Sequence, residues 1–218
     1  MQVKLQWATA DIDAQIAYQA RVSNPDNQGS PQIAGLLNYC MREGHVSPFE
    51  MANVCLEVNT TRDIARQVLR HRSFSFQEFS QRYQDASKLG DLVLRECRLQ
   101  DTKNRQNSIA DGVPEGLAEW WAWAQDRVAQ EAMRGYELAL EKGIAKEQAR
   151  ALLPEGLTPS RLYMNGTMRS WVHYLGQRLH PSTQKEHRLI AEQALTVLRG
   201  VAPITMAAFF PEGARHAT

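Results

Sequence analysis

The sequence predicts a single α+β domain over residues 1–218, on three observations. Several segments repeat apolar residues at helical spacing, while only short ones alternate apolar with polar residues. No internal repeat, low-complexity tract or linker divides the chain. At 24.7 kDa it has the length of one domain and enough chain to bury a core of its own.

The elements follow in order. Ile12, Ile16, Ala17 and Ala20 mark a first helix, and Ile33, Leu36, Leu37 and Cys40 a second, with the turn-rich segment from Asn24 to Pro31 between them. Val54, Leu56 and Val58 alternate with Asn53, Cys55, Glu57 and Asn59, the pattern of a half-buried strand. Thr60 or Thr61 can then cap a helix carrying Ile64, Ala65, Val68 and Leu69, with Asp63 in its first turn. Leu92, Val93 and Leu94 read as a second strand, and the polar stretch from Asp101 to Gly116 as a surface loop. From Leu117, the positions Trp120, Trp121, Ala124, Val128, Met133, Tyr136 and Leu140 describe a long amphipathic helix that ends near Gly143. The Trp120-Trp121 pair reads as core or subunit contact rather than a binding platform. A short helix runs to Leu153 and stops at Pro154, and Leu162-Tyr163-Met164 forms a short strand. Two further helices, about Met168 to Leu179 and Gln184 to Leu198, are separated by His180-Pro181.

Composition removes several classes of function. Charged residues are 22% of the chain and the formal net charge is +1, so no global field favours a nucleic acid or an anionic membrane. The three cysteines, Cys40, Cys55 and Cys97, are odd in number and widely spaced, with no C-x-x-C pair. That argues against a disulfide framework or a metal site and for a cytoplasmic protein. The first residues lack the apolar run of a signal peptide, and no segment approaches the ~18 continuous apolar residues of a membrane span.

The stretch from Arg70 to Tyr83 carries the chemistry. Arg70, His71, Arg72 and Arg82, the carboxylate of Glu78 and the hydroxyls of Ser73, Ser75 and Ser80 interleave with Phe74, Phe76 and Phe79. A core would not choose such a mixture, since each buried guanidinium needs a partner, and a solvated surface would not need the phenylalanines. Guanidinium forks among flat apolar faces suit a large, flat, anionic ligand such as a nucleotide or flavin. Cations just past a helix C-terminus also suit its dipole, but that does not account for Glu78, Ser80 and Arg82 at their spacing.

That spacing, Arg70-His71-Arg72, then seven residues, then Ser80, followed by Arg82-Tyr83, resembles the RHR-x7-S signature of the flavin-dependent thymidylate synthases (ThyX). The resemblance covers almost the whole chain. Ala20-Arg21-Val22-Ser23 and His45-Val46-Ser47-Pro48-Phe49-Glu50 are similar to the family's ARVS and H-x-[ST]-P-F-E segments, and the run from Ile64 to Leu69 leads into the signature as it does there. Ala149-Arg150-Ala151-Leu152-Leu153-Pro154 and the segment from Arg169 to Arg178 follow in the family's order. Three departures stand out: Gln77 where many members have Asn, Thr167-Met168 in place of an Asn-x pair, and Leu179 to Gln184 in place of D-x-H-x-Q-W.

The resemblance implies a compact α+β domain with a small central antiparallel sheet, assembling as a homotetramer with sites at subunit interfaces. It implies FAD and NADPH as cofactors, and methylenetetrahydrofolate as carbon donor, for reductive methylation of deoxyuridylate (dUMP) to thymidylate (dTMP). It places Gln67, Arg70, Glu78, Ser80, Arg82, Arg150 and Arg178 at the deoxyuridylate, and Ser47, Arg70, His71, Arg72, Glu78, Arg169 and His173 at the flavin. Arg178 would be catalytic, favouring the N3-deprotonated uracil with a guanidinium that stays charged at any working pH. The cysteine-dependent thymidylate synthases carry a Pro-Cys-His segment, and no cysteine here precedes a histidine. A flavoprotein reductase on the same fold would keep Arg70, His71 and Arg72 but lose Arg178, which is retained. An RNA- or nucleotide-binding module would need a wider basic surface than this near-neutral chain has.

Overall fold

The computed structural model describes residues 1–212, and within them the chain forms two compact units. The first comprises Met1, Asn59–Arg70 and Gln77–Leu162; the second comprises Gln2–Val58, His71–Phe76 and the chain from Tyr163 onward. The elements run β1 (Gln2–Ala8), α1 (Ile12–Ala20), α2 (Ala34–Arg42), β2 (Asn53–Thr61), α3 (Arg62–Val68), β3 (Ser75–Glu78), β4 (Leu99–Gln100), β5 (Ser108–Ile109), α4 (Glu115–Glu141), α5 (Lys146–Ala149), β6 (Pro159–Thr167), α6 (Met168–Arg178), α7 (Lys185–Val201) and α8 (Pro203–Phe209). The α+β class therefore holds.

Four strands form one sheet in the order β1-β2-β6-β3. Met168, just past β6, donates its amide to Ala52 before β2 (2.9 Å), whereas Arg62, just past β2, donates to Thr158 before β6 (2.9 Å). The two central strands are thus antiparallel. No helix among the described residues is long and apolar enough to cross a membrane.

In the second unit, β2 contributes the buried Val54, Leu56 and Val58, and α6 the buried Met168, Trp171, Tyr174 and Leu175. The Trp171 indole donates to the Val54 carbonyl (3.1 Å), so the largest core side chain also satisfies its polar edge. Asp13 of α1 accepts from the Ile204 and Thr205 amides (2.8 and 3.0 Å), satisfying donors at the start of α8. In the first unit, Ala86, Tyr136, Ala139 and Ala149 form a core joined by Met133, Leu140 and Leu153. Both α2 and α4 end on a glycine with positive φ, Gly44 at 69° and Gly143 at 80°. The following amides of His45 and Ile144 reach back to the Cys40 and Ala139 carbonyls (2.8 and 2.9 Å), a closure that only glycine makes without strain.

Three expectations are corrected. Leu92 to Leu94 is not a strand: the Val93 amide donates to Leu157, and the Arg95 backbone pairs in both directions with the Gln125 side chain of α4 (2.8 Å each), so no partner strand is needed. The stretch from Asp101 to Gly116 is not only loop, since β4 and β5 pair antiparallel with Leu99 opposite Ile109 and α4 begins at Glu115. Thr61 sits at the start of α3 but does not cap it. Its hydroxyl donates to Asp63 (2.5 Å) and accepts from Arg95 (2.5 Å). Trp121 donates to the Arg95 carbonyl (3.1 Å), while Trp120 remains exposed.

Phe74, buried within the signature stretch, lies over Gly166 of β6 so closely that a Cβ at position 166 would run into its ring. Gly166→Ala is therefore expected to cost about 1–3 kcal/mol, the usual penalty for overpacking a filled core. Chemical denaturation at constant m-value checks it, and an unchanged midpoint would contradict the packing.

Candidate functional site

The first unit holds Gln67, Arg70, Glu78, Ser80, Arg82 and Arg150 of the nucleotide-directed set. Arg70 follows α3 directly and its amide closes the last turn on the Gln67 carbonyl (3.3 Å), leaving an exposed guanidinium. Arg82 and Arg150 meet at one residue of α5. The Arg82 Nε lies 3.3 Å from the Glu147 carboxylate, and the Arg150 Nε donates to the Glu147 carbonyl (3.3 Å). Only Arg82 faces the exposed Glu147 carboxylate, a weakly held partner because solvated ion pairs contribute little, while Arg150 is tied to the backbone of the same residue. A phosphate offers more acceptor oxygens than that carboxylate and suits the two forks. Ser80 turns its hydroxyl toward the Arg82 amide (3.4 Å).

Glu78 is fixed differently. Ser160 of β6 donates its hydroxyl to Glu78 (2.7 Å), and Arg62 lies 3.7 Å from the same oxygen. Burial pushes the Arg62 guanidinium below its ordinary range, Glu78 opposes that, and the neighbouring Arg66 and Arg150 add to it. The carboxylate is thus oriented by two groups that the sequence did not single out.

The second unit holds Ser47, His71, Arg72, Arg169, His173 and Arg178. Arg169 and His173, one turn apart on α6, line a cavity of about 240 Å³ together with Val46, Phe49, Val172 and Phe209. Phe49 and Phe209 meet edge to face at 5.1 Å and form its aromatic wall. Arg169 is held at the rim by Glu50 (2.6 Å), and Gln177 donates to the exposed His173 (2.9 Å). A guanidinium, an imidazole and an aromatic wall suit a flat ring bearing phosphate, so these residues fit part of a flavin dinucleotide. Ser47 is exposed at the start of a short 3₁₀ turn, and Arg72 is exposed beyond α3.

Arg178 ends α6 and donates its Nε–H to the Nε2 of His71 (2.8 Å). A guanidinium can only donate, so His71 must be neutral with its proton on Nδ1. The His71 ring is buried, edge to face with Tyr174 at 4.9 Å and 6.2 Å from the ring of His187 on α7. Burial, then Arg178 and His173, lower the His71 pKa to about 4. Burial, then Arg178 and His71, lower that of His187 to about 3. Burial also raises the Tyr174 phenol, so it stays protonated.

Sequence reasoning missed Arg62, Ser160, Glu147, Glu50, Tyr174 and His187. Glu50 stood within a recognised segment, but its partner Arg169 is 119 positions away, so local pattern carried no sign of the pair. Tyr174 and His187 look like ordinary core-face positions on amphipathic helices.

Comparison with known proteins bears on these geometries. A family model described as thymidylate synthase complementing protein matches residues 4–204. A probable flavin-dependent thymidylate synthase of Paramecium bursaria Chlorella virus 1 is 54% identical over 173 residues, covering 79% of this chain and 78% of that one. The flavin-dependent thymidylate synthase of Synechocystis sp. is 51% identical over 193 residues, covering 88% and 87%. Among solved structures, the UMP/dUMP methylase PolB from Streptomyces cacaoi, bound with 5-Br dUMP, superposes with a TM-score of 0.80 at 28% identity, covering 95% of this chain and 93% of that one.

The two buried imidazoles make stability depend on pH. Unfolded, each takes up a proton near the ordinary value of 6.5; folded, each resists until about 4 and about 3. The unfolded state therefore binds more protons as pH falls below 6.5, and the fold weakens, by about 2 kcal/mol per histidine at pH 5. Denaturation midpoints at pH 7 and pH 5 check this, with His187→Phe expected to remove about half of the difference. Equal midpoints for the unaltered protein would contradict it.

Proposed function

The chain belongs to the thymidylate synthase complementing protein family, the flavin-dependent thymidylate synthases, and we propose that it methylates deoxyuridylate to thymidylate with FAD, NADPH and methylenetetrahydrofolate. The observation that carries the catalytic part is the Arg178 guanidinium, anchored through Nε on a neutral imidazole, with no partner for its two terminal nitrogens among the described residues.

Thymidylate differs from deoxyuridylate by a methyl group at C5, so C5 must act as a nucleophile. Cys40 and Cys55 do not supply the activation used by cysteine-dependent enzymes: both are buried, and burial raises both thiols. A fixed cation beside the uracil edge does the equivalent work by stabilising the N3-deprotonated ring, whose extra charge reaches C5. Arg178 takes that role. Arg82, exchanging the Glu147 carboxylate for the ligand, holds the phosphate with Arg150 and Arg70, Ser80 adds a short hydrogen bond, and Gln67 and Glu78 bind the nucleoside. Arg169 and His173 hold the flavin in their cavity, with Ser47, Arg70, Arg72, Glu78 and the backbone of His71 also on it. When bound, the reduced flavin supplies the hydride and is reloaded by NADPH. The whole chain acts as one synthase domain, and four copies build sites where subunits meet. The exposed guanidiniums of Arg70 and Arg72 support that reading, since each has room for a ligand or a neighbouring subunit.

Arg178→Ala is expected to lower thymidylate formation by roughly 10²–10³, the usual contribution of one preorganised contact to a developing anion. Lysine should rescue poorly, because a flexible point charge does not reproduce a planar fork. Flavin reduction by NADPH without nucleotide should change little. Normal thymidylate output from the alanine variant would remove Arg178 from the mechanism. Light scattering on the flavin-loaded protein is expected to give four chains, and a fully active monomer would contradict the assembly.

A further inference from the structure

We propose that His71 is the positioning residue of Arg178, its ring serving as the fixed acceptor that aims the guanidinium rather than as a flavin ligand. The inference rests on the reading of Arg178 given above and adds a residue to it.

Arg178 is the last residue of α6, where helix ends fray and a long side chain has many rotamers. Its Nε donates to His71 Nε2 at 2.8 Å, a bond spanning 107 positions of chain. Committing Nε fixes the plane of the guanidinium and leaves the two terminal nitrogens, which form the fork suited to a carbonyl and a ring nitrogen side by side. His71 can serve because it is itself immobile. It is buried, stands edge to face against Tyr174, and has His187 behind it on α7. Tyr174 and His187 pack against each other at 5.7 Å, so the ring is held by two layers of aromatic side chains.

The direction of the bond excludes a reversed arrangement. A protonated His71 would present a donor and a positive charge to a guanidinium, and contact would be lost. Among the described residues, the charged and titratable groups facing the imidazole are Arg178 and His173 from α6 and His187 from α7, with the Tyr174 phenol adjacent; none of these is a carboxylate that would favour its protonation. Because the ring points into the unit, any contact that position 71 makes with flavin would come from its backbone.

Two substitutions separate positioning from packing. His71→Leu keeps bulk but removes the acceptor, whereas His71→Gln places an amide oxygen near the position of Nε2. H71L is expected to lose roughly 10–10² in kcat for thymidylate formation, the usual effect of removing a residue that orients a functional side chain, and H71Q to recover most of it. In an Arg178→Ala background, H71L should cost nothing more, since there is no guanidinium left to aim. Nitrogen-15 NMR of histidine-labelled protein gives a readout independent of turnover: at pH 7, His71 should show a protonated Nδ1 and a hydrogen-bonded, unprotonated Nε2. Wild-type turnover by H71L, an equal further loss in the Arg178→Ala background, or a protonated Nε2 would each overturn the proposal. If the unaltered protein forms no thymidylate, the functional reading fails instead, and the NMR tautomer alone then decides whether His71 holds Arg178.

Discussion

The contact between a permanent cation and a buried neutral imidazole is the constraint on which the rest of this chemistry depends. Arg178 cannot give up its charge, so everything packed around it must tolerate that charge. The chain meets this demand with groups that donate no second charge: His71 held neutral by burial, His187 held neutral behind it, and Tyr174 held as a phenol. A carboxylate in place of His71 would pair more strongly with Arg178, but it would neutralise the cation proposed to face the substrate. A neutral acceptor orients the guanidinium and leaves its charge available.

The other cations follow a different rule. Arg82, Arg66 and Arg169 sit in exposed pairs with Glu147, Glu155 and Glu50. Such pairs are weak in water, so they keep the cations ordered without committing them. Arg82 and Arg169 are the ones proposed to receive phosphate-bearing ligands, and an exposed carboxylate is readily exchanged for a phosphate. Arg62 is the contrast. It is largely buried, it faces the carboxylate of Glu78, and Ser160 donates a hydrogen bond to that carboxylate. This arrangement is costly to break and suits a part of the site that must not move.

Much of this was legible in the sequence, for identifiable reasons. The signature from Arg70 to Tyr83 could be read because core and surface both fail to explain it. Helices α1, α2, α6 and α7 could be read because each buries one stripe, and α4 by its long helical spacing although Trp120 and Val128 of its stripe are exposed. Arg169 and His173 shared a face by helical spacing, and the structure puts both on one cavity. The short strands were not legible. β3 is four residues long and β4 and β5 are two each, too short for alternation to show. Leu92 to Leu94 had the composition of a strand, but Val93 donates to Leu157 and the next backbone unit, Arg95, is paired by the Gln125 side chain of a helix. The bond between Arg178 and His71 was hidden because it joins residues 107 apart, each of which had a sufficient explanation of its own.

The central claim is that this chain activates uracil C5 electrostatically and does so for methyl transfer. Release of tritium from C5 of labelled deoxyuridylate tests it most directly, with the purified flavin-loaded protein, NADPH and methylenetetrahydrofolate. The account predicts tritium release matched by thymidylate formation, with Cys40, Cys55 and Cys97 all replaced by serine or alanine at little cost to either. Retention of the tritium under every cofactor combination, or loss of its release on removing the cysteines from a folded protein, would contradict it.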